Sequence, residues 1–237
     1  MSIDKDLHKS YDLIGNKIYD DQSLSRKLLQ QSLDLFTKKS LIIKDPKPID
    51  VDVIALVSGL SFSNNLIAVF QKLITEISKI LEKTLCYWVK PKNYGVEYCV
   101  FKWPNDIWCQ DWLNEIISFL ESKEYYSFEL NITGIQLHQD GCIIAKGYDC
   151  GKIRSIRSDL KSNLKFIPDR QSNWAHIPLG RILEPVAGKK FISLKETIKK
   201  FSLEKLGSER INDAKIVNEK RWYMEKKEIL FNKKFKL

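Results

Sequence analysis

The stretch Trp174-Ala175-His176-Ile177-Pro178-Leu179-Gly180-Arg181-Ile182-Leu183 carries most of the information in this sequence, because an imperfect copy lies upstream at Trp88–Tyr98. Each stretch is typical of the start of a short strand, in which alternate side chains share a face. His176 then shares a face with Pro178, and Gly95 shares one with Glu97. The downstream copy therefore offers a histidine on that face, whereas the upstream copy offers a carboxylate.

Composition and charge narrow the class of protein. The chain has 237 residues, of which 43% are hydrophobic and 29% charged, and this balance is typical of a soluble globular protein. No apolar run approaches the ~18–20 residues of a membrane span, and the charged start of the chain does not resemble a signal peptide. We therefore expect a cytoplasmic protein with no membrane partner. The net charge of +9 favours a phosphate-bearing partner, although a lysine-rich surface without any such role gives the same number.

The sequence predicts no cofactor and no metal site. Its five cysteines are odd in number and show no C-x-x-C spacing, which argues against a disulfide framework and against zinc. P-loop, G-x-G-x-x-G and G-x-S-x-G motifs are absent, so nucleotide hydrolysis through those routes has no support.

Two segments are predicted, a helical arm with its linker at residues 1–48 and a larger domain at 49–237. In the arm, Asp21 or Ser23 is positioned to cap a helix that carries leucines and a phenylalanine at three- and four-residue spacing up to Phe36. The prolines at 46 and 48 end any helix and indicate a linker.

The larger domain alternates strand and helix patterns. We expect an α/β (α+β) fold with two pseudo-symmetric lobes whose mainly antiparallel sheets face each other. The first half predicts a strand at 51–57, a helix at 66–80, a strand pair at 85–89 and 96–101, and a helix at 108–122. The second half predicts a hairpin at 128–137 and 142–148, helices at 152–164 and 191–201, and strands at 176–182, 214–218 and 227–231.

With both stretches located, the chain resembles the 2H phosphoesterase superfamily, which includes RNA 2′,3′-cyclic phosphodiesterases and 2′-5′ RNA ligase-like proteins. The resemblance rests on the approach W-V-x-P-x-N-Y, on the stretch H-x-x-L-G-R-I, and on their separation, and it covers about residues 50–235. It implies a bilobal fold whose cleft binds or cleaves a phosphodiester of RNA or of a nucleotide. In that family two H-x-[ST] motifs supply a general base and a general acid, and their hydroxyls hold the phosphate.

This chain departs from the family pattern at three positions. Gly95 stands where the first histidine belongs, Glu97 where the first hydroxyl belongs, and Pro178 where the second hydroxyl belongs. The resemblance therefore implies His176 as the acid–base residue, with Glu97 as a replacement partner whose pKa burial can bring toward neutrality. His138, at a predicted hairpin tip, is interpreted as a turn residue.

Aromatic and basic residues near the two stretches are the expected substrate contacts. Trp88, Tyr94 and Trp174 flank the motif strands and are interpreted as walls of the cleft. Arg181 lies an odd number of residues after His176, so it reaches the same face only if the strand contains a bulge.

Alternative functions remain open at this point. The fold can persist as a catalytically inactive module that binds a nucleotide or an RNA end, or it can have been recruited to unrelated small-molecule chemistry. The segment Lys102-Trp103-Pro104-Asn105-Asp106 also resembles biotin protein ligases, but the glycine- and arginine-rich loop that those enzymes require upstream is missing.

Overall fold

A computed structural model describes residues 2–237, with side chains from residue 6 onward. The helices are α1 (Ser2–Gly15), α2 (Lys17–Asp20), α3 (Gln30–Leu33), α4 (Lys38–Ile42), α5 (Asn64–Ile80), α6 (Gln110–Ser122), α7 (Lys152–Asn163) and α8 (Gly188–Phe201). The strands are β1 (Ser23–Leu24), β2 (Asp50–Gly59), β3 (Cys86–Trp88), β4 (Gly95–Lys102), β5 (Phe128–Leu137), β6 (Cys142–Tyr148), β7 (Ile177–Ile182), β8 (Val186–Ala187), β9 (Lys205–Ile211), β10 (Asp213–Arg221) and β11 (Lys226–Lys234).

Two antiparallel sheets form the two lobes. The first has the strand order β11-β10-β2-β4, and the second has the order β3-β7-β6-β5-β9. The predicted architecture of mainly antiparallel sheets in two lobes is therefore confirmed. The predicted pairing of the strands near residues 85–89 and 96–101 is wrong, because β3 pairs with β7 and β4 pairs with β2. Each sheet thus contains strands from both halves of the chain.

The central strand β2 shows how the sequence separates the core from the groove. Its residues alternate between two faces, as the period of a strand requires. Ile54 and Leu56 face the main core together with α5, which a hydrogen bond from the Leu66 amide to the Ser63 hydroxyl caps. Val53, Ala55 and Val57 face the other way and form a small apolar patch with Val100 and Val217. That patch becomes the floor of the site.

The N-terminal segment differs from the predicted helix. Ser23 and Leu24 form a strand that pairs with Val186–Ala187, and only Gln30–Leu33 is helical in the stretch predicted to form one helix up to Phe36. Leu24, Leu29 and Leu33 are nevertheless buried, as their spacing indicates, because successive turns direct them into the main core, and Leu28 is half-buried. The apolar period thus predicts the burial correctly, but long-range strand pairing outweighs weak local helix propensity. The division at residue 48 stays a prediction.

None of the helices in the described part of the chain has the length and apolar character needed to cross a membrane.

Candidate functional site

The concave faces of the two lobes enclose a groove with a cavity volume of about 510 Å³. Gly95 and Glu97 of β4 line it from the first lobe, and His176 and Pro178 line it from the second. The two sequence stretches that resemble each other therefore face one cavity. Gly95 and Glu97 both belong to β4, whereas His176 immediately precedes β7, and each predicted pair lines the groove together.

A β-bulge follows each of these pairs. Glu97 pairs with Val57 and Cys99 pairs with Leu56, which leaves Tyr98 as the extra residue of β4. In β7, Pro178 pairs with Ile144 and Gly180 pairs with Ile143, which leaves Leu179 as the extra residue. A bulge shifts the alternation of side chains by one residue, and Arg181 consequently turns into the groove.

Arg181 is anchored by contacts on both sides of the groove. Its Nη1 donates to Asp140 Oδ2 at 2.6 Å and to the Ser32 hydroxyl, and its Nε donates to the hydroxyl of Tyr223 on the β10–β11 turn. Burial would raise the pKa of the Asp140 carboxyl, but Arg181 and the amide of Cys142 outweigh burial and hold that pKa below its usual value. Nη2 of Arg181 makes no hydrogen bond to any residue whose side chain is described, so it remains available to a ligand.

His176 has a second histidine beside it, and the sequence does not indicate this neighbour. The indole of Trp174 contacts both rings edge-on, at centroid distances of 5.6 Å to His176 and 5.3 Å to His138. Burial and the neighbouring charges lower the pKa of His176 to about 4, and burial lowers that of His138 to about 4. Both imidazoles are therefore neutral at pH 7. His138 is more than a turn residue, although it does not line the groove.

Two carboxyl groups face the groove from the first lobe. Burial raises the pKa of Glu97 to about 7, against the opposing charge of Arg157. Glu219 of β10 is not recognisable in the sequence; burial raises its pKa to about 7 as well, and the nearby Glu97 adds to that effect. Glu219 Oε1 accepts a hydrogen bond from the Met224 amide at 2.8 Å, and the chain fold brings it across β2 from Glu97. No sequence signal marks Glu219, because its position follows from the pairing of β10 with β2.

Aromatic side chains flank the apolar floor of the groove. Trp103 and Trp222 both pack against the patch formed by Val53, Ala55 and Val57. Arg170 covers the Trp103 ring at 4.5 Å, and Trp103 Nε1 donates to the Arg170 carbonyl at 3.1 Å. The segment that resembles biotin ligases therefore ends β4 and contributes one wall, with a turn closed by Trp103 N donating to Asp106 at 3.0 Å.

Two of the residues predicted to contact substrate, Tyr94 and the half-buried Trp88, do not line this groove. Tyr94 is 1% exposed and meets Phe70 of α5 edge-on, and Trp88 lies over Gly180 on the neighbouring strand. Trp174 supports His176 from behind, as described above. Arg181 is the predicted substrate contact that lines the groove. Among the described residues, no group of three or more His, Cys, Asp or Glu side chains is arranged to hold a metal ion.

Solved structures of other proteins are similar to this chain in fold. E. coli LigT, in a complex with phosphate, has a TM-score of 0.51 at 9% identity, over 80% of this chain and 100% of that chain. TT0787 of Thermus thermophilus has a TM-score of 0.51 at 12% identity, over 77% and 97%. The conserved protein of unknown function ATU0111 from Agrobacterium tumefaciens has a TM-score of 0.55 at 12% identity, over 77% and 86%.

No protein-family model matches this sequence, and no curated protein matches it either. At identities this low, the structural likeness establishes the fold. The chain has the 2H phosphoesterase fold, as the two motif stretches predict.

Proposed function

We propose that the groove binds a phosphodiester of RNA or of a nucleotide, of the 2′,3′-cyclic type, and hydrolyses it with His176 and Glu97. The observation that carries the proposal is that these two side chains, one from each lobe, line the same cavity. Their pKa values are shifted in opposite directions, which is the arrangement expected of an acid–base pair.

The two shifts assign the roles. With a pKa near 4, His176 is unprotonated at neutral pH and accepts a proton from the attacking water. With a pKa near 7, Glu97 keeps a proton for a large share of the time and donates it to the departing ribose oxygen. A bond from the water oxygen to phosphorus forms while the bond from phosphorus to the ribose oxygen breaks. Both protons are accounted for within the groove.

The free Nη2 of Arg181 is the group best placed to contact a phosphate oxygen. Its other nitrogens are fixed by Asp140, Ser32 and Tyr223, so the guanidinium is preorganised and loses little freedom when a ligand binds. E. coli LigT, a protein of similar fold, has been solved in complexes with phosphate, with ATP and with 3′-AMP, which supports a ligand of this class.

The test measures turnover of 2′,3′-cyclic nucleotides and of a short RNA with a cyclic phosphate end. His176→Ala and Glu97→Gln are each expected to lower kcat by about 10²–10⁴-fold. His8→Ala, a histidine of the N-terminal helix that stacks on Tyr148, is the matched control and should retain the rate. In the wild type, turnover should fall as the pH rises through about 7, because Glu97 then loses its proton. A histidine variant with the wild-type rate would refute the proposed mechanism.

A second candidate is a binding module without catalysis. It is favoured by the absence of side-chain donors at Gly95 and Pro178, the two groove positions nearest Glu97 and His176 along their strands. Salt-sensitive binding of the same ligands without turnover is the result that distinguishes this candidate from the enzyme.

A further inference from the structure

The first-lobe end of the groove contains polar groups that the proposed reaction does not use. Glu219 is 6% exposed and lines the cavity together with Asn93, which is 4% exposed. No salt bridge joins Glu219 to a lysine or arginine among the described side chains. Burying a carboxyl group without an ionic partner is costly, and such costs concentrate at sites that bind something.

Asn93 presents a donor that has no partner. Its Oδ1 accepts a hydrogen bond from Lys227 Nζ at 2.7 Å, which fixes the orientation of the amide. Its Nδ2 is buried and makes no hydrogen bond. Lys227 also acts on Glu219, since its charge lowers the pKa of that carboxyl against the effect of burial. Asn93 and Glu219 are therefore neighbours of the same lysine.

Glu219 retains acceptor capacity beyond its structural contact. Oε1 accepts the amide of Met224, which holds a turn in which Tyr223 and Met224 both have positive φ, 63° and 55°. The backbone amide of Tyr223 also acts on this carboxyl and, like that of Met224, lowers its pKa against the effect of burial. The two oxygens of a carboxylate have about four acceptor positions in all, so the two amides of the turn leave acceptor capacity for a ligand.

This end of the groove thus contains one unpaired donor, Asn93 Nδ2, and the carboxyl group of Glu219, which is ionised and accepts hydrogen bonds only above its pKa of about 7. The adjoining surface is flat and apolar, with Trp222 packed on the valine patch and available for stacking. Among the common bases, guanine presents an O6 acceptor followed by two donors, N1–H and N2–H, whereas uracil presents a carbonyl acceptor beside the single donor N3–H. Adenine presents a donor followed by an acceptor, and its ring nitrogen would face the carboxylate.

We propose that Glu219 and Asn93 read the base edge of the ligand and that the groove selects guanine nucleotides. This inference rests on the proposed function, because it places the phosphate toward Arg181 in the second lobe and the base on the first-lobe floor.

The test compares binding of the 3′-monophosphates of guanosine, inosine and adenosine to the full-length wild type by titration calorimetry above pH 7, where Glu219 is ionised. Guanosine is expected to bind about tenfold or more tightly than adenosine, because each lost bond to a charged acceptor costs about that factor. Inosine lacks the 2-amino group and should fall between them. This comparison needs no variant, so it does not depend on how substitutions fold.

Two matched variants then separate the base reader from the acid–base pair. Glu219→Gln should remove the preference for guanosine, because its NH2 group offers a donor that suits the ring nitrogen of adenine and not the N1–H of guanine. Glu97→Gln makes the same chemical change in the same groove and should lower turnover while the base preference persists.

Equal binding of all three nucleotides, or a preference for adenosine, would overturn base reading and leave the proposed phosphodiester function standing. Failure of every nucleotide to bind would overturn both. A guanosine preference that survives Glu219→Gln would rule out Glu219 as the reader.

Discussion

Removing the positive charge of Arg181 should destabilise the fold more than removal of any surface ion. The side chain is 15% exposed and its partner Asp140 is 25% exposed, with 2.6 Å between Nη1 and Oδ2. Arg181→Met leaves the Asp140 carboxylate uncompensated beside the neutral ring of His138. Breaking a buried pair in this way costs about 3–5 kcal/mol of the free energy of unfolding. That is a large share of the free energy of unfolding of a typical domain, which is roughly 5–15 kcal/mol.

A double-mutant cycle of Arg181→Met with Asp140→Asn, measured by urea denaturation at pH 7, isolates the interaction energy between the two side chains. Each single change leaves one charge unpaired, whereas the double change removes both charges. The cost of the double variant should therefore fall short of the sum of the single costs by about 1–3 kcal/mol. Unchanged m-values are required for this comparison, since a changed m-value would indicate a different denatured or native state.

The exposed pair Arg221–Asp50 provides the matched control. Its N–O distance is 2.7 Å, close to that of the buried pair, but its side chains are 40% and 72% exposed. The same cycle there, with Arg221→Met and Asp50→Asn, should give a coupling energy below about 1 kcal/mol. Additive costs at Arg181 and Asp140, or equal coupling in the two cycles, would refute the view that burial makes this pair important.

Three further predictions concern stability. Between about pH 4.5 and 7 native Glu97 keeps a proton that the unfolded chain releases, so the wild type loses up to about 1.4 kcal/mol per pH unit from this group. The free energy of unfolding of Glu97→Gln, relative to that of the wild type, should therefore increase from pH 5 to 7 and stay constant above pH 7. If urea titrations show a difference that does not change with pH, the burial of Glu97 is contradicted. Gly180→Ala would place Cβ 2.4 Å from Trp88 Cε3 and 2.5 Å from the Tyr87 carbonyl. This overpacking should lower the free energy of unfolding by about 1–3 kcal/mol, measured by thermal unfolding. An unchanged Tm would mean that β3 moves away at no cost. Phe70→Ala leaves a cavity at a fully buried site against Tyr94 and should lower the free energy of unfolding, measured by urea denaturation, by about 3–5 kcal/mol. A loss below about 1 kcal/mol would contradict the packing described for this core.

The sequence predicts the groove better than it predicts the residues in it. Strand alternation is enough to predict that His176 shares a face with Pro178 and Gly95 with Glu97, since that rule is local. That the two pairs line one cavity follows from the bilobal fold, which only the family resemblance predicts. Arg181 requires a bulge, and bulges depend on the partner strand, which a single segment does not specify.

Long-range pairing accounts for the residues that sequence reasoning misses. Glu219 and Asn93 reach the groove because β10 and the turn before β4 are brought there by strands distant in sequence. The Asp-Gly turn at His138 is correct as local structure but says nothing of Trp174 and His176 beside it. The helix predicted up to Phe36 fails for a related reason, since leucines at helical spacing also fit a series of packed turns.

The exchange of strands between lobes has a consequence for how the chain can be divided. Cutting the backbone between α6 and β5 would deprive β2 of its neighbour β10 and would leave β7 without β3. Neither fragment would contain a complete sheet. Each would expose an unpaired sheet edge, and such edges are prone to self-association. The two halves of this chain therefore depend on each other, because each supplies strands that complete a sheet of the other.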